Sequence, residues 1–205
     1  MIAWTIEAAL QSGLFSKVLV STDCKEIAKL SKYFGAEVPF LRDGNSDDYT
    51  MVSDATCSAL IQAEIYWGIK FGTVTQLMAN CPLRTAKDIQ EFHQEFFARQ
   101  KDFLLSCFKF GWMNPWWAFR MDENRKHSFL FEHALSMRSQ DLDDLFCPTG
   151  SIWMAKAESL KATGSFHSET QEFCEVNWIS AVDIDDEDDL NFAKSIMTSQ
   201  ARAFA

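Results

Sequence analysis

The sequence predicts an α/β protein in which helices cover both faces of a mostly parallel β-sheet. Short continuous apolar runs, typical of buried strands, alternate with segments of helical periodicity. Several runs lead directly into polar residues, as happens at the carboxyl edge of a parallel sheet, where ligands bind. Because the chain has 205 residues, 47% of them hydrophobic, we expect residues 1–205 to form a single domain with a substantial core.

The first part of the chain alternates predicted helices with predicted strands. Apolar residues at helical spacing mark the helices, and a glycine follows each of the first two, as is common at helix ends. In order, the segments are helix Ile2–Leu10, strand Lys17–Ser21, helix Ile27–Phe34, strand Ala36–Leu41, polar loop Arg42–Thr50, helix Val52–Trp67 and strand Thr73–Met78.

The second part continues the alternation but contains one irregular stretch. The predicted segments are helix Ala86–Arg99, strands Phe103–Phe108, Gly150–Ala155 and Trp178–Asp185, and a final helix over Leu190–Met197. Gly111–Asp144 lacks clean periodicity and is rich in Trp and Phe. Its aromatic residues from 112 to 131 could stack on a sugar or base, but we favour an oligomer interface.

Composition excludes several classes of partner. A formal net charge of −10 argues against nucleic acid and anionic membranes, both of which require a basic surface. No apolar run approaches the roughly 20 residues that span a bilayer, and the N-terminus does not resemble a signal peptide. The six cysteines are scattered without a CxxC pair, so we expect a reduced, cytoplasmic protein without a zinc site.

Asp183 and Asp185 form the most informative pair of residues. At alternate positions of a predicted strand they share one face, with Cα atoms roughly 7 Å apart. Two carboxylates at a strand end suit Mg²⁺, which completes its shell with water and substrate phosphates. The alternative is that Asp183 ends the strand and the acidic residues 186–189 only cap the next helix.

Three polar segments follow predicted strands and should open on one edge of the sheet: Ser21–Asp23, Asn80–Arg84 and Asp183–Asp185. The guanidinium of Arg84, and less strongly that of Arg42, could grip a phosphate or carboxylate. A structural ion pair is the alternative for both arginines. The first segment could equally be the N-terminal cap of the following helix.

Two further features receive weaker interpretations. Arg138 and Gln140 could recognise a carboxylated or polyhydroxylated ligand, although alone they are typical of a surface loop. Cys81 lies near Arg84, but no histidine is close in sequence, so we do not expect a nucleophilic thiol.

The ordered set of motifs resembles the acylneuraminate cytidylyltransferases, also called CMP-sialic acid synthetases. The matching segments are Ile2–Leu10, Val18–Asp23, Gly35–Arg42, Asn80–Arg84, Arg138–Asp141 and Val182–Asp185. The resemblance implies a Rossmann-like nucleotidyltransferase that uses Mg²⁺ to transfer CMP from CTP to the anomeric hydroxyl of a nonulosonic acid, releasing pyrophosphate. It also implies a homodimer, formed through an inserted dimerisation and substrate arm at about residues 111–149.

The same resemblance assigns roles to individual residues. It implies catalytic roles for Asp183, Asp185 and Arg84, with the two aspartates as metal ligands. It implies nucleotide binding by Ser21, Thr22, Asp23, Arg42, Ser53 and Asn80, and sugar binding by Arg138, Gln140 and Gln76.

The chain departs from the family pattern in three places. The family's first strand and its Arg- and Lys-bearing phosphate loop have no counterpart in this sequence, from which we expect weak activity. Met78 replaces a substrate-facing glutamine, with Gln76 two positions earlier, and Thr149 replaces an asparagine before Gly150. Both changes favour a legionaminate-, pseudaminate- or other acid-sugar variant. The alternatives are an inactive relative that acts in binding or dimerisation, and a 3-deoxy-octulosonate type of enzyme.

Overall fold

A computed structural model describes residues 1–42 and 50–203. Within these ranges the helices are α1 (Ile2–Ser12), α2 (Lys25–Tyr33), α3 (Val52–Trp67), α4 (Ala86–Arg99), α5 (Ala157–Thr163) and α6 (Glu187–Ala203). The strands are β1 (Thr73–Gln76), β2 (Phe103–Lys109), β3 (Phe119–Met121), β4 (His127–Phe129), β5 (Phe146–Lys156) and β6 (Glu172–Glu175). None of the helices in the described ranges is long and apolar enough to cross a membrane.

The central sheet has four strands in the order β1-β5-β2-β6. β2 and β6 pair in parallel, whereas β5 pairs antiparallel with both β1 and β2. β1, β2 and β6 therefore run in one direction, and β5 is the reversed strand between them. The predicted α/β class is confirmed, with β5 as the antiparallel exception.

Helices cover both faces of this sheet, as predicted. On one face Leu104 and Met154 pack against Ile89 and Phe92 of α4 and against Ala8 of α1. On the other face the strand residues pack against α3 and α5; this cluster contains Leu60, Phe103, Leu105, Trp153, Ala155, Leu160 and Phe166. Burial of each large apolar side chain contributes about 1.5–3 kcal/mol, so these two layers hold the sheet together.

Three predicted strands differ from the structure. The segments Lys17–Ser21 and Ala36–Leu41 meet only in one parallel bridge, between Leu19 and Glu37. The strand predicted at Trp178–Asp185 is wrong: residues 178–181 form a turn and 182–184 have no regular structure. The side-chain oxygen of Asn177 accepts a hydrogen bond from the backbone N–H of Ile179 (2.9 Å), which starts the turn in place of a strand.

The irregular stretch before β5 contains a separate two-stranded hairpin of β3 and β4, together with 3-10 helices at Pro115–Trp117, Glu132–Ser136 and Ser139–Asp141. Helix α5 and strand β6 were not predicted, and β5 begins at Phe146, before the predicted Gly150. In the predicted polar loop at 42–50, residues 43–49 lie outside the described residues.

Candidate active site

A cavity of about 670 Å³ lies between α1, α3, β1 and the chain segments at 14–21 and 77–80. Most of its wall is apolar, with Ile6, Val18 and Ala59 as examples. The lining also contains polar residues. Four of them, Ser21, Arg42, Gln76 and Asn80, are residues that the sequence predicted as binding residues, and we call these four the polar end of the cavity.

Three buried polar atoms in this lining have no hydrogen-bond partner among the residues that the structure describes. They are Oγ of Ser21, Nε of Arg42 and Oε1 of Gln76. A buried polar atom without a partner costs about 1–3 kcal/mol, so such atoms are rare unless a ligand or water completes them. The lining therefore presents hydroxyl, guanidinium and amide groups to a polar ligand.

Thr22, Asp23 and Ser53 lie around this cavity and not in its lining. Thr22 is buried; its hydroxyl accepts from the N–H of Cys24 (3.1 Å), and its carbonyl accepts from the N–H of Arg42 (2.8 Å). It therefore fixes the backbone of Arg42. Cys24 is the N-terminal cap residue of α2, so the capping interpretation of residues 21–23 is wrong. Asp23 is exposed, and Ser53 accepts from the N–H of Phe166 (3.1 Å).

The acidic segment at 183–185 is tied to the cavity. The N–H of Ile184 donates to the carbonyl of Asn80 (3.0 Å), and the thiol of Cys81 donates to Oδ1 of Asp183 (3.7 Å). Burial raises the pKa of Asp183, and the negative charge of Asp185 raises it further. Both aspartates lie on a loop and not on the predicted strand, and their shared metal site stays a prediction.

Cys81 is a neutral donor in this arrangement. It is fully buried, and burial followed by the charge of Asp183 raises the pKa of its thiol to about 12. A thiol with that pKa stays protonated at neutral pH, so it does not act as a nucleophile.

A buried hydroxyl network, which the sequence analysis missed, positions the acidic segment. Ser151 donates to the carbonyl of Ser180 (2.8 Å), and Thr149 donates to the carbonyl of Ala181 (3.3 Å). Ser180 in turn donates to Asp88 of α4 (2.9 Å). These bonds attach the turn before Asp183 to β5 and α4. Thr149 stood out only as a departure from a family motif, and Ser151 only as part of the predicted strand Gly150–Ala155, so neither carried a signal of this role.

The N-terminus of α6 is capped by Asp186 and Asp189, and not by the aspartates at 183 and 185. Oδ1 of Asp186 accepts from the N–H groups of Asp188 (2.8 Å) and Asp189 (3.0 Å). Oδ2 of Asp189 accepts from the N–H groups of Asp185 (3.0 Å) and Asp186 (3.3 Å). The acidic run therefore divides into a capping pair at 186 and 189 and a second pair at 183 and 185. Both residues of the second pair are exposed as a whole, but the carboxyl group of Asp183 is partly desolvated where it meets the thiol of Cys81.

The residues at 183 and 185 fit a magnesium ion. Within the described ranges no group of three or more His, Cys, Asp or Glu side chains converges on one point. Mg²⁺ does not need such a group, since it commonly binds through one or two carboxylates plus substrate phosphates. After desolvation, the negative charge of Asp185 is the next cause of the raised pKa of Asp183, and a bound cation would offset that charge.

Arg84 lies below the cavity and outside its lining. It is 3% exposed, and its guanidinium donates to the carbonyls of Met78 (3.3 Å) and Ser151 and to the hydroxyl of Thr5 (3.0 Å). Burial lowers its pKa to about 10. The predicted structural ion pair is absent among the described residues; instead, Arg84 joins α1, the turn after β1, and β5. Its catalytic role stays a prediction.

Arg138 and Gln140 are exposed on the stretch before β5, outside the cavity lining. Arg138 forms a two-point ion pair with Asp141, at 2.7 and 3.0 Å. The structure of one chain does not bring these two residues to the cavity, and their sugar-binding role stays a prediction.

Two solved structures share the fold of this chain. A CMP:2-keto-3-deoxy-manno-octonic acid synthetase complexed with CTP superimposes with a TM-score of 0.65 at 12% identity, over 97% of this chain and 88% of that one. A 4-diphosphocytidyl-2C-methyl-D-erythritol synthase from Anaerococcus prevotii gives 0.61 at 9% identity, over 96% and 88%. The chain therefore has the Rossmann-like nucleotidyltransferase fold that the resemblance implied.

Sequence comparison gives the family. The cytidylyltransferase family model matches residues 1–204. The pseudaminic acid cytidylyltransferase of Campylobacter jejuni is 30% identical over 200 residues, 95% of this chain and 83% of that protein. The CMP-N,N'-diacetyllegionaminic acid synthase of Legionella pneumophila is 30% identical over 202 residues, 96% and 84%. The chain belongs to the cytidylyltransferase family, whose members are CTP-dependent nucleotidyltransferases.

Proposed function

We propose that this protein transfers CMP from CTP to the anomeric hydroxyl of a nonulosonic acid and releases pyrophosphate. Relatives named for pseudaminic and legionaminic acids, matched over nearly the whole chain, support this substrate class. The structural observation that carries the proposal is the bond between Ile184 and Asn80. It holds the carboxylates at 183 and 185 beside the polar end of the cavity.

The polar end supplies groups that suit a nucleotide and an acid sugar. Arg42 offers an unpaired guanidinium N–H for a phosphate or carboxylate oxygen, and Ser21 offers a hydroxyl. The unpaired amide oxygen of Gln76 accepts from a hydroxyl or amino group. These groups fix the substrates so that the sugar hydroxyl faces the α-phosphorus, and positioning contributes a large share of catalysis in phosphoryl transfer.

Asp183 and Asp185 are the proposed magnesium ligands. Mg²⁺, when bound there, neutralises charge on the triphosphate. The two carboxylates hold it only when ionised. Because burial and Asp185 raise the pKa of Asp183, activity should fall on acidification at a higher pH than for an ordinary aspartate.

A coupled assay tests the proposal. The protein is incubated with CTP and Mg²⁺ and with pseudaminic, legionaminic, N-acetylneuraminic or 3-deoxy-octulosonic acid, and pyrophosphate release is measured. We expect release with pseudaminic or legionaminic acid and none with ATP, GTP or UTP in place of CTP. Release with 3-deoxy-octulosonic acid alone would identify the octulosonate alternative.

The same assay addresses the inactive alternative and the expectation of weak activity. Binding of CTP without turnover of any acid sugar would contradict the enzymatic proposal and favour a binding or dimerisation protein.

We also propose a cytoplasmic location and a homodimer. All six cysteines are free thiols, which fits a reducing compartment. Exposed aromatic and methionine residues between 112 and 137 provide a surface for the dimer.

A further inference from the structure

Asp88 connects two parts of the molecule through a single carboxylate oxygen. Its Oδ2 accepts hydrogen bonds from the backbone N–H (2.7 Å) and the hydroxyl (2.6 Å) of Thr85, within the capping box at the start of α4. The same oxygen accepts from the hydroxyl of Ser180 (2.9 Å), on the turn at 178–181. The first turn of α4 is therefore tied to a turn that lies 92 residues later in the chain.

Ser180 is held firmly at this point. The residue is 5% exposed, and a buried hydroxyl that loses its acceptor is costly, so the bond to Asp88 is kept in the native state. Hydrogen bonds to a carboxylate are about twice as strong as bonds between neutral groups. The bond to Asp88 reaches the turn from α4, whereas the bonds from Thr149 and Ser151 reach it from β5. The turn is therefore fixed from two directions.

The carboxylate pair depends on this turn for its position. Asp183 follows Ser180 by three residues, and residues 182–184 belong to no helix or strand. Past the turn, the N–H of Ile184 attaches the segment to the cavity by its bond to the carbonyl of Asn80 (3.0 Å). Mg²⁺ demands near-ideal octahedral geometry with ligands at about 2.0–2.1 Å, so a small shift of the turn would misplace a ligand.

We propose that Ser180 and Asp88 are positioning residues of the magnesium site. Neither lines the cavity; both act through the backbone that carries Asp183 and Asp185. This inference rests on the proposed function, because it concerns the metal site of that reaction. Loss of the bond should weaken binding of the metal and leave the rate at saturating metal nearly unchanged, since a bound ion then holds its own ligands in place.

Three variants separate the two roles of Asp88. Ser180→Ala removes the bond to the turn and leaves the capping box intact. Thr85→Ala removes the capping hydroxyl and leaves Ser180 its acceptor, so it is the matched control. Asp88→Ala removes both, and its comparison with Thr85→Ala isolates the loss of the bond to Ser180. That comparison decides the test if circular dichroism shows that Ser180→Ala does not fold.

Hydrogen exchange in the absence of metal and substrate tests the positioning itself. We expect Ser180→Ala to speed exchange of the Ile184 amide by about tenfold, because the segment opens more often. The amide of Val176, which donates to the carbonyl of Cys107 (2.8 Å), is the internal control and should not change. Thr85→Ala should change neither amide. Equal exchange at Ile184 in Ser180→Ala and in the unaltered protein would overturn the inference.

Titration with MnCl₂ tests the consequence for the metal, since Mn²⁺ takes the same oxygen ligands as Mg²⁺. Electron paramagnetic resonance measures free Mn²⁺, and the binding that Asp183→Asn abolishes defines the site. We expect Ser180→Ala to lower the affinity of this site by about tenfold and Thr85→Ala to leave it within about twofold. Unchanged affinity in Ser180→Ala, or an equal fall in Thr85→Ala, would overturn the inference.

The pyrophosphate assay provides the last comparison. In Ser180→Ala the Mg²⁺ concentration for half-maximal rate should rise about tenfold, while kcat at saturating Mg²⁺ stays within about twofold. A fall in kcat alone would contradict a positioning role. Failure of the proposed function gives a different result: Asp183→Asn would then remove no Mn²⁺ binding, which overturns the metal assignment and this inference with it.

Discussion

At the scale of single residues, Asp183 has opposite expected effects on stability and on function: its charge is unfavourable to the fold, but the proposed metal site needs it. Burial and the nearby Asp185 raise its pKa, so the folded chain takes up a proton more readily than the unfolded chain. Stability from this residue therefore declines as pH rises past its ordinary pKa and through the raised one. We therefore expect ionised Asp183 to be slightly unfavourable to the fold at neutral pH, an effect that solvent screening keeps small because the residue is exposed.

Replacement of Asp183 should separate the two effects. We predict that Asp183→Asn raises the melting temperature at pH 7 and lowers the rate of pyrophosphate release by about 10²–10³-fold. Asp185→Asn should lower the rate similarly, whereas Asp188→Asn, on the capped helix start, should leave it nearly unchanged. Calorimetry and the coupled assay measure the two quantities. A rate for Asp183→Asn within a factor of two of the unaltered protein would contradict the metal assignment.

The sequence analysis named Arg84 as a candidate catalytic residue, which stays a prediction, and the surroundings of its side chain were not foreseeable from the sequence. Its guanidinium donates to carbonyls of Met78 and Ser151 and to the hydroxyl of Thr5, three residues that are far from one another in sequence. We predict that Arg84→Ala lowers the free energy of unfolding by about 2–4 kcal/mol, because buried carbonyls lose their donors. Arg84→Lys should recover only part, since an ammonium lacks the planar fork.

Urea denaturation measures this effect, and Arg138→Ala supplies the comparison. Arg138 is exposed and pairs with Asp141 at the surface, so its removal should change stability by less than about 0.5 kcal/mol. Similar losses in both variants would mean that burial of Arg84 does not determine its contribution.

At the scale of elements, α3 and α5 are joined through Glu64. Burial alone would raise the pKa of this carboxylate, but hydrogen bonds from Lys70, Lys161 and the N–H of Phe71 outweigh burial and lower it to about 2. Because the folded pKa is depressed, the stabilisation is present above the ordinary pKa of 4.5 and is lost as pH falls towards 2.

The Glu64→Gln variant should lose less folding stability than the unaltered protein as the pH falls. We predict that the unaltered protein loses about 2–3 kcal/mol more stability than Glu64→Gln between pH 5 and pH 2. The size of this difference follows from the lowered pKa of Glu64. Glu158→Gln is the control, because Glu158 also contacts Lys161 but is exposed. Thermal unfolding at a series of pH values is the measurement. Parallel pH profiles for Glu64→Gln and the unaltered protein would contradict the assignment.

Sequence periodicity predicted the long elements and failed on the short ones. α4 was predicted with its observed bounds because Ile89, Phe92 and Phe96 recur at helical spacing after the capping residue Thr85. β6 has four residues and α5 seven, lengths at which no periodicity can be measured. The segment at 178–185 is apolar like a strand, yet local bonds from Asn177 turn it away from the sheet.

The candidate site was predictable to the extent that its residues follow strands. Ser21, Gln76 and Asn80 follow the segment at 18–20 or lie at the end of β1, and they do line one cavity. The positioning hydroxyls of Thr149 and Ser151 could not be found, because their partners lie about thirty residues away at Ser180 and Ala181.

At the scale of the whole molecule, the hairpin of β3 and β4 stands apart from the central sheet and exposes large apolar side chains. In the hairpin, Met121 is 64% exposed and Phe119 52%, and Trp112, earlier in the same irregular stretch, is 89% exposed. Apolar surface of this kind on a short arm is typical of a protein interface and supports the proposed homodimer.

We predict that Phe119→Asp combined with Met121→Asp converts a dimer to a monomer, because the interface would have to bury two unpaired charges. Sedimentation velocity measures the mass. Ile65→Asp is the matched control, since Ile65 is equally apolar and 77% exposed but lies on α3. A monomer before any substitution, or a dimer unaffected by the double change, would refute the role of the arm.

The unpaired atoms of Ser21, Arg42 and Gln76, which have no partner within the described ranges, make the empty protein less stable than the occupied one. Each hydrogen-bond partner that a ligand supplies shifts the equilibrium towards the native chain and away from the unfolded one. Unfolded chains are the ones that proteases degrade, so the lifetime of this protein should lengthen when its substrate is abundant.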